Sequence, residues 1–131
     1  VHGEAGLDEI AIFGTTFVAE AKDGDVRTYR LTAVDLDLPE TAPEAVAPGS
    51  SPAENAAILL SILDGTETGP RRDIVLANAA AALYVAGIAD SLVSGVALAR
   101  EILTSGAARA KIDALRDFTP NETTESNRNT P

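Results

Sequence analysis

Two adjacent carboxylates, Asp8 and Glu9, follow Gly3 and Gly6 and stand shortly before Gly14. Such a pair suits a hard divalent cation. Magnesium takes one or two carboxylate oxygens and completes its shell with water and phosphate oxygens. Against that, neighbours in a regular strand point to opposite faces and could not share one ion directly. Adjacent acids are also frequent in a chain with 20 acidic residues. On the residues alone, a solvated surface pair outweighs a metal site.

The other chemistry-bearing residues have simpler readings. His2, the only histidine, could act as a base near neutral pH, but beside Gly3 it reads as structural. Arg71 and Arg72 could hold an anion. They fall in the first turn of a helix, however, where the helix dipole disfavours positive charge, so pairing with an aspartate or with solvent is expected. Asn78 lies inside an apolar helix and needs hydrogen-bond partners if buried; it is expected to link helices. Gly3, Gly6 and Gly14 make no phosphate-binding fingerprint, because none leads into the helix that such a loop requires. The chain has no cysteine, which excludes thiol catalysis, disulfides and zinc-thiolate sites. A single histidine at one end cannot build a Ser-His-Asp triad, and no catalytic residue is assigned.

The elements that must position these residues fall into a β part and an α part. Glu9 to Phe13, Thr16 to Ala21 and Val26 to Leu31 read as strands rich in β-branched and aromatic residues. Lys22-Asp23-Gly24-Asp25 between the last two is a tight hairpin turn, since Asp-Gly supplies the positive-φ positions. Asp35 to Gly49, with Pro39, Pro43 and Pro48, reads as an extended connection. Ser51-Pro52-Ala53-Glu54 is a capping box that opens a helix through Leu63, stopped at Gly65. A second helix starts at Gly69-Pro70 and runs to about Ala86, with Gly87 as its stop. It is apolar on nearly every face, so it must be covered all round by neighbours or by a partner. A third helix, capped by Asp90 or Ser91, runs to Thr104 with Leu92, Val96, Ala99 and Leu103 on one stripe. A fourth spans about Ala107 to Arg116, with Ile112 and Leu115 facing inward. Residues 118–131 lack large apolar side chains after Phe118 and are expected to be a disordered tail.

Composition narrows the partners. The formal charge is −10 over 131 residues, which argues against nucleic-acid binding, since that draws on Lys and Arg. No apolar run approaches the ~18–20 residues of a membrane span; Ile74 to Ile88 is interrupted by Asn78. Asn121-Glu122-Thr123 matches a glycosylation acceptor, read as chance. The sequence holds no methionine, and its amino terminus is read as a cut within a longer protein.

Together these stretches resemble the anthranilate phosphoribosyltransferases. The resemblance lies in Val1-His2-Gly3-Glu4-Ala5-Gly6-Leu7-Asp8-Glu9-Ile10, in the hairpin, in Tyr29-Arg30-Leu31-Thr32, in Asn55-Ala56-Ala57-Ile58-Leu59 and above all in Gly69 to Leu83. Ser91 to Leu115 is similar to the family's closing helix pair. The resemblance implies an α/β fold: the C-terminal part of a two-domain phosphoribosyltransferase, here a short β-hairpin region followed by four helices. It implies strands and connection in 1–49, two helices in 50–88 packing on a separate helical domain, and the closing pair in 89–117. It further implies magnesium at Asp8 and Glu9, phosphoribosyl pyrophosphate and anthranilate as substrates, a homodimer, a cytoplasmic location and a role in tryptophan biosynthesis. The family's Gly-Thr-Gly-Gly-Asp loop and Lys-His-Gly-Asn segment have no counterpart here, so these residues alone are expected to be inactive. The rival readings are a non-catalytic phosphoribosyltransferase-like paralogue and a helical interaction module.

Overall fold

The computed structural model describes residues 1–119; the expected tail lies, apart from Phe118 and Thr119, outside the described residues. A three-stranded antiparallel sheet in the order β1-β2-β3 is followed by four helices. The strands are β1 (His2–Gly3), β2 (Thr16–Lys22) and β3 (Asp25–Leu31). The β2–β3 hairpin runs in register from Thr16 opposite Leu31 to Lys22 opposite Asp25. Asp23 and Gly24 close it with φ of 54° and 88°, the pair of positive values that matches the twist of the flanking strands.

The helices are α1 (Pro52–Leu63), α2 (Pro70–Val85), α3 (Leu92–Thr104) and α4 (Ala107–Phe118). Their caps follow the sequence in part. Ser51 accepts from the Glu54 amide, but Glu54 reaches back to the Ser50 amide and hydroxyl at 2.7 Å rather than to Ser51, so the expected box is half formed. At α3, Ser91 and Ser94 cap each other reciprocally.

Three further expectations change. Glu9 to Phe13 is not a strand: Ile10 to Phe13 is buried but pairs with no strand. The connection is not simply extended, because Val34–Leu36 and Pro43–Val46 form short 3-10 turns, and Leu36 from the first is fully buried. Leu115 faces outward at 58 % exposure, since α4 meets the rest of the chain at Ala108, Arg109, Ile112 and Asp113. The apolar α2 is covered within the chain over most of its surface: Asp73, Leu76, Ala77 and Ala80 are buried, most of the rest is half-buried, and Ala82 and Val85 are exposed.

The core draws on the segment before β2, on β3, on the connection and on α2 and α3. Ile10 and Ile12, Leu31 at the end of β3, Leu36 and Leu38 of the connection, Leu76 and Ala80 of α2, and Val96 and Ala99 of α3 form one cluster. Each large aliphatic side chain fully buried there stabilises the fold by about 1.5–3 kcal/mol. Where α2 crosses α3, a Cβ on Gly95 would lie 2.8 Å from the Ala80 carbonyl oxygen, so only glycine allows this approach.

Candidate functional site

The Asp8–Glu9 pair sits on a bend whose two ends are anchored. Before it, β1 pairs with β2 through Gly3 opposite Thr16. The chain then turns tightly: the Gly6 amide donates to the Gly3 carbonyl at 2.8 Å, and the Gly3 amide donates to the Leu7 carbonyl at 2.7 Å. Gly6 has φ of 90°, and a Cβ on Gly3 would press on the Leu7 Cβ at 3.2 Å. Leu7 packs against the core from one side, and Ile10, 2 % exposed, enters it on the other. Asp8 and Glu9 are the exposed link between these anchors. Because the backbone bends there, the opposite-face rule for a regular strand does not apply.

The segment that follows is held by side chains where a strand would use a neighbour. The Ile10 amide donates to Asn78 Oδ1 at 2.9 Å, and Asn78 Nδ2 donates to the Ile10 carbonyl at 2.9 Å. The Ala11 amide donates to the Thr16 hydroxyl at 3.0 Å, and the Thr41 amide donates to the Ile12 carbonyl at 3.1 Å. Asn78 therefore joins α2 to the acidic bend and does not link helices as expected. Its second donor bond, to the Ile74 carbonyl at 3.0 Å, stays within α2.

Among the described residues, neither the Asp8 nor the Glu9 carboxylate takes part in a hydrogen bond or ion pair with another residue. Nor do three or more His, Cys, Asp or Glu residues gather into a ready-made metal site there. Two free carboxylates on an anchored bend fit magnesium nonetheless, because that ion keeps several waters and takes its remaining oxygens from substrate phosphates. A cage built wholly of protein would fit it less well.

The other candidates have structural partners or lie apart. His2 is exposed in β1 opposite Phe17. Arg72 pairs with the buried Asp73 at 2.8 Å, and Arg71 donates to the Ala47 carbonyl at 2.9 Å, in line with the expected structural roles.

One polar cluster escaped the sequence. Glu20 of β2 accepts from Arg27 at 2.8 Å and from the hydroxyls of Tyr29 at 3.2 Å and Tyr84 at 2.7 Å. The Tyr84 hydroxyl, and next the Arg27 guanidinium, hold the Glu20 carboxyl below its ordinary value of 4.5. Arg27, Tyr29 and Tyr84 also border an open groove of about 630 Å³ with Asp35, Asp90 and Ser91. There Glu20 pairs with Arg27, and Asp35 accepts from the Thr32 amide and hydroxyl. Only the pairing of Arg27 opposite Glu20 in the hairpin could have been read from the sequence; Tyr84 lies too far along the chain.

Known proteins resemble this chain over nearly all its described length. An anthranilate phosphoribosyltransferase of Haloferax volcanii is 55 % identical over 117 residues, covering 89 % of this chain and 35 % of that protein. The crystal structure of the anthranilate phosphoribosyltransferase of Thermus thermophilus superposes with a TM-score of 0.77 at 42 % identity, over 86 % of this chain and 32 % of that one. A variant of the Saccharomyces cerevisiae enzyme, solved with Mg bound, superposes with a TM-score of 0.76 at 27 % identity, over 86 % and 32 %. The chain thus spans about a third of the length of the relatives it matches. Residues 1–109 match the family described as "Glycosyl transferase family, a/b domain", and the chain belongs to that family.

Proposed function

We propose that these residues belong to an anthranilate phosphoribosyltransferase, which transfers the phosphoribosyl group of phosphoribosyl pyrophosphate to anthranilate. The amine nitrogen bonds to the anomeric carbon as the bond from that carbon to the pyrophosphate oxygen breaks, and the nitrogen sheds a proton. An aromatic amine is a weak nucleophile, so catalysis rests on leaving-group stabilisation and positioning. Asp8 and Glu9 would hold magnesium, which when bound supplies the charge that offsets the departing pyrophosphate.

The observation that carries this reading is the exposed pair, unpartnered among the described residues, on a bend anchored at Leu7 and Ile10. A metal reached through substrate phosphates needs carboxylates that are placed but not consumed by other bonds. The glycine turn, the Ile10 anchor and the Asn78 bonds do the placing. The high identity to named relatives supports the same substrates.

In this reading the protein is a cytoplasmic homodimer of tryptophan biosynthesis, and among the described residues no helix is long and apolar enough to cross a membrane. Residues 50–88 pack on a helical domain. That would cover the apolar groove of about 290 Å³ between α2, α3 and α4, bordered by Val75, Ala79, Ala82, Ile102, Leu103 and Ala108. Residues 1–131 alone are inactive. The apolar groove also favours a second reading, a helical interaction module. A stable, monomeric fold of residues 1–131 without upstream sequence would support that alternative.

The test is the double substitution Asp8→Asn with Glu9→Gln in the full-length protein. Magnesium-dependent formation of phosphoribosyl anthranilate is expected to collapse while circular dichroism is unchanged. Unaltered turnover at limiting magnesium would overturn the metal assignment.

A further inference from the structure

Asn78 uses its whole carboxamide on two carbonyls and one amide. Oδ1 accepts from the Ile10 amide, while Nδ2 donates to the carbonyls of Ile10 and Ile74. This pattern fixes the amide's orientation, because only the oxygen can accept from an N–H and only the nitrogen can donate to a carbonyl. Toward Ile10, the side chain offers one donor and one acceptor, as a neighbouring strand residue would. A buried backbone amide and carbonyl left unpaired would cost free energy, and Ile10 pairs with no strand that could satisfy them. The residue so gripped is the one directly after Glu9.

We propose that Asn78 is a positioning residue for the Asp8–Glu9 pair, setting the height of the bend above α2 so that both carboxylates reach one ion. The inference rests on the magnesium reading of that pair. Asn78 touches neither the ion nor a substrate; it acts through the Ile10 backbone. The grip on α2 is firm because α2 itself is locked against α3 at Ala80 and Gly95. Outer-shell groups that orient metal ligands are worth roughly 10–100-fold in metal affinity.

The experiment uses the full-length protein with Mn²⁺ as a paramagnetic probe, titrated in the presence of inorganic pyrophosphate and read by electron paramagnetic resonance. Asn78→Leu, which keeps the branching at Cγ and removes all three bonds, is expected to raise the Mn²⁺ Kd roughly tenfold or more. Asn78→Asp keeps the acceptor, loses both donors, and should also weaken binding. Tyr84→Phe removes a bond from the same helix to Glu20 and should leave the Kd unchanged, although it lowers stability. An equal loss in Tyr84→Phe would reduce the effect to general loosening and overturn the proposal. If Asp8→Asn with Glu9→Gln binds Mn²⁺ as the wild type does, the metal reading fails and takes this inference with it. If that variant loses Mn²⁺ while the Asn78 variants bind normally, only the positioning role fails. Should neither Asn78 variant fold, amide exchange of the unaltered, metal-free protein decides. A slowly exchanging Ile10 amide supports a preset bend, and exchange at an unprotected rate overturns it.

Discussion

Two regions of this protein carry carboxylates on or beside the sheet, and they are treated in opposite ways. Glu20 is surrounded: a guanidinium and two phenol hydroxyls converge on it, and its carboxyl is held below its ordinary value. Asp8 and Glu9 are left open, while the backbone on either side of them is tied down. In the first region the protein satisfies the charge and gains a joint between the hairpin and α2. In the second it places the charge and leaves its lone pairs for something else. If Asp8 and Glu9 hold magnesium as proposed, the difference separates a structural carboxylate from a functional one more sharply than exposure alone, because exposed acids are common on a chain with a net charge of −10.

The contrast breaks most directly if both regions respond alike to neutralisation. In the full-length protein, Asp8→Asn with Glu9→Gln should cost on the order of a hundredfold or more in magnesium-dependent turnover, with an unchanged melting temperature. Next in size is the crossing that supports the bend. Gly95→Ala forces a methyl onto the Ala80 backbone and should destabilise by about 1–3 kcal/mol in a denaturant titration, with the magnesium midpoint of the surviving folded protein raised, because the displaced α2 carries Asn78. A smaller effect belongs to the satisfied carboxylate. Glu20→Gln should lower the melting temperature and leave the magnesium midpoint alone.

That last variant also carries a sign. The folded-state value of Glu20 is depressed below 4.5. Its contribution is therefore full above that pH and is lost as pH falls through the folded value. The stability gap between wild type and Glu20→Gln should close on acidification below about 4.5 and stay constant from there to neutrality. Asp35 and Glu54 are depressed as well, through their bonds to Thr32 and Ser50. Both proteins share those groups, so the difference isolates Glu20. A gap that widened in acid would contradict the cluster's geometry.

Most of the fold could be read locally. The Asp23-Gly24 turn, the helix starts at Pro52 and Pro70 and the stops at Gly65, Gly87 and Gly106 are all set by residues within a few positions of the event, and each lies where its turn chemistry put it. Glu9 to Phe13 misled because a short apolar run looks the same whether it is buried by a strand neighbour or by a helix. Here Asn78 and Thr16 supply the bonds that a strand would have supplied. Leu115 misled because helical spacing names a face without saying how far the rest of the chain extends to cover it. Of the candidate site, Asp8 and Glu9 were legible by type, but their freedom from partners was not. The Tyr84–Glu20 bond joins a helix to a strand 64 positions away, and no local pattern encodes it.

The missing methyl of Gly95 reaches further than the helix pair it serves. Where main chain rests on main chain, the separation of α2 and α3 is set by covalent geometry and not by which rotamer a side chain adopts, so it cannot drift with thermal repacking. Asn78 stands on α2 within a turn of that contact, and the acidic bend hangs from Asn78. A pair of solvent-facing carboxylates thereby inherits the tolerance of a backbone contact: the least substituted residue of α3 works as the datum from which the most exposed chemistry of the chain is measured.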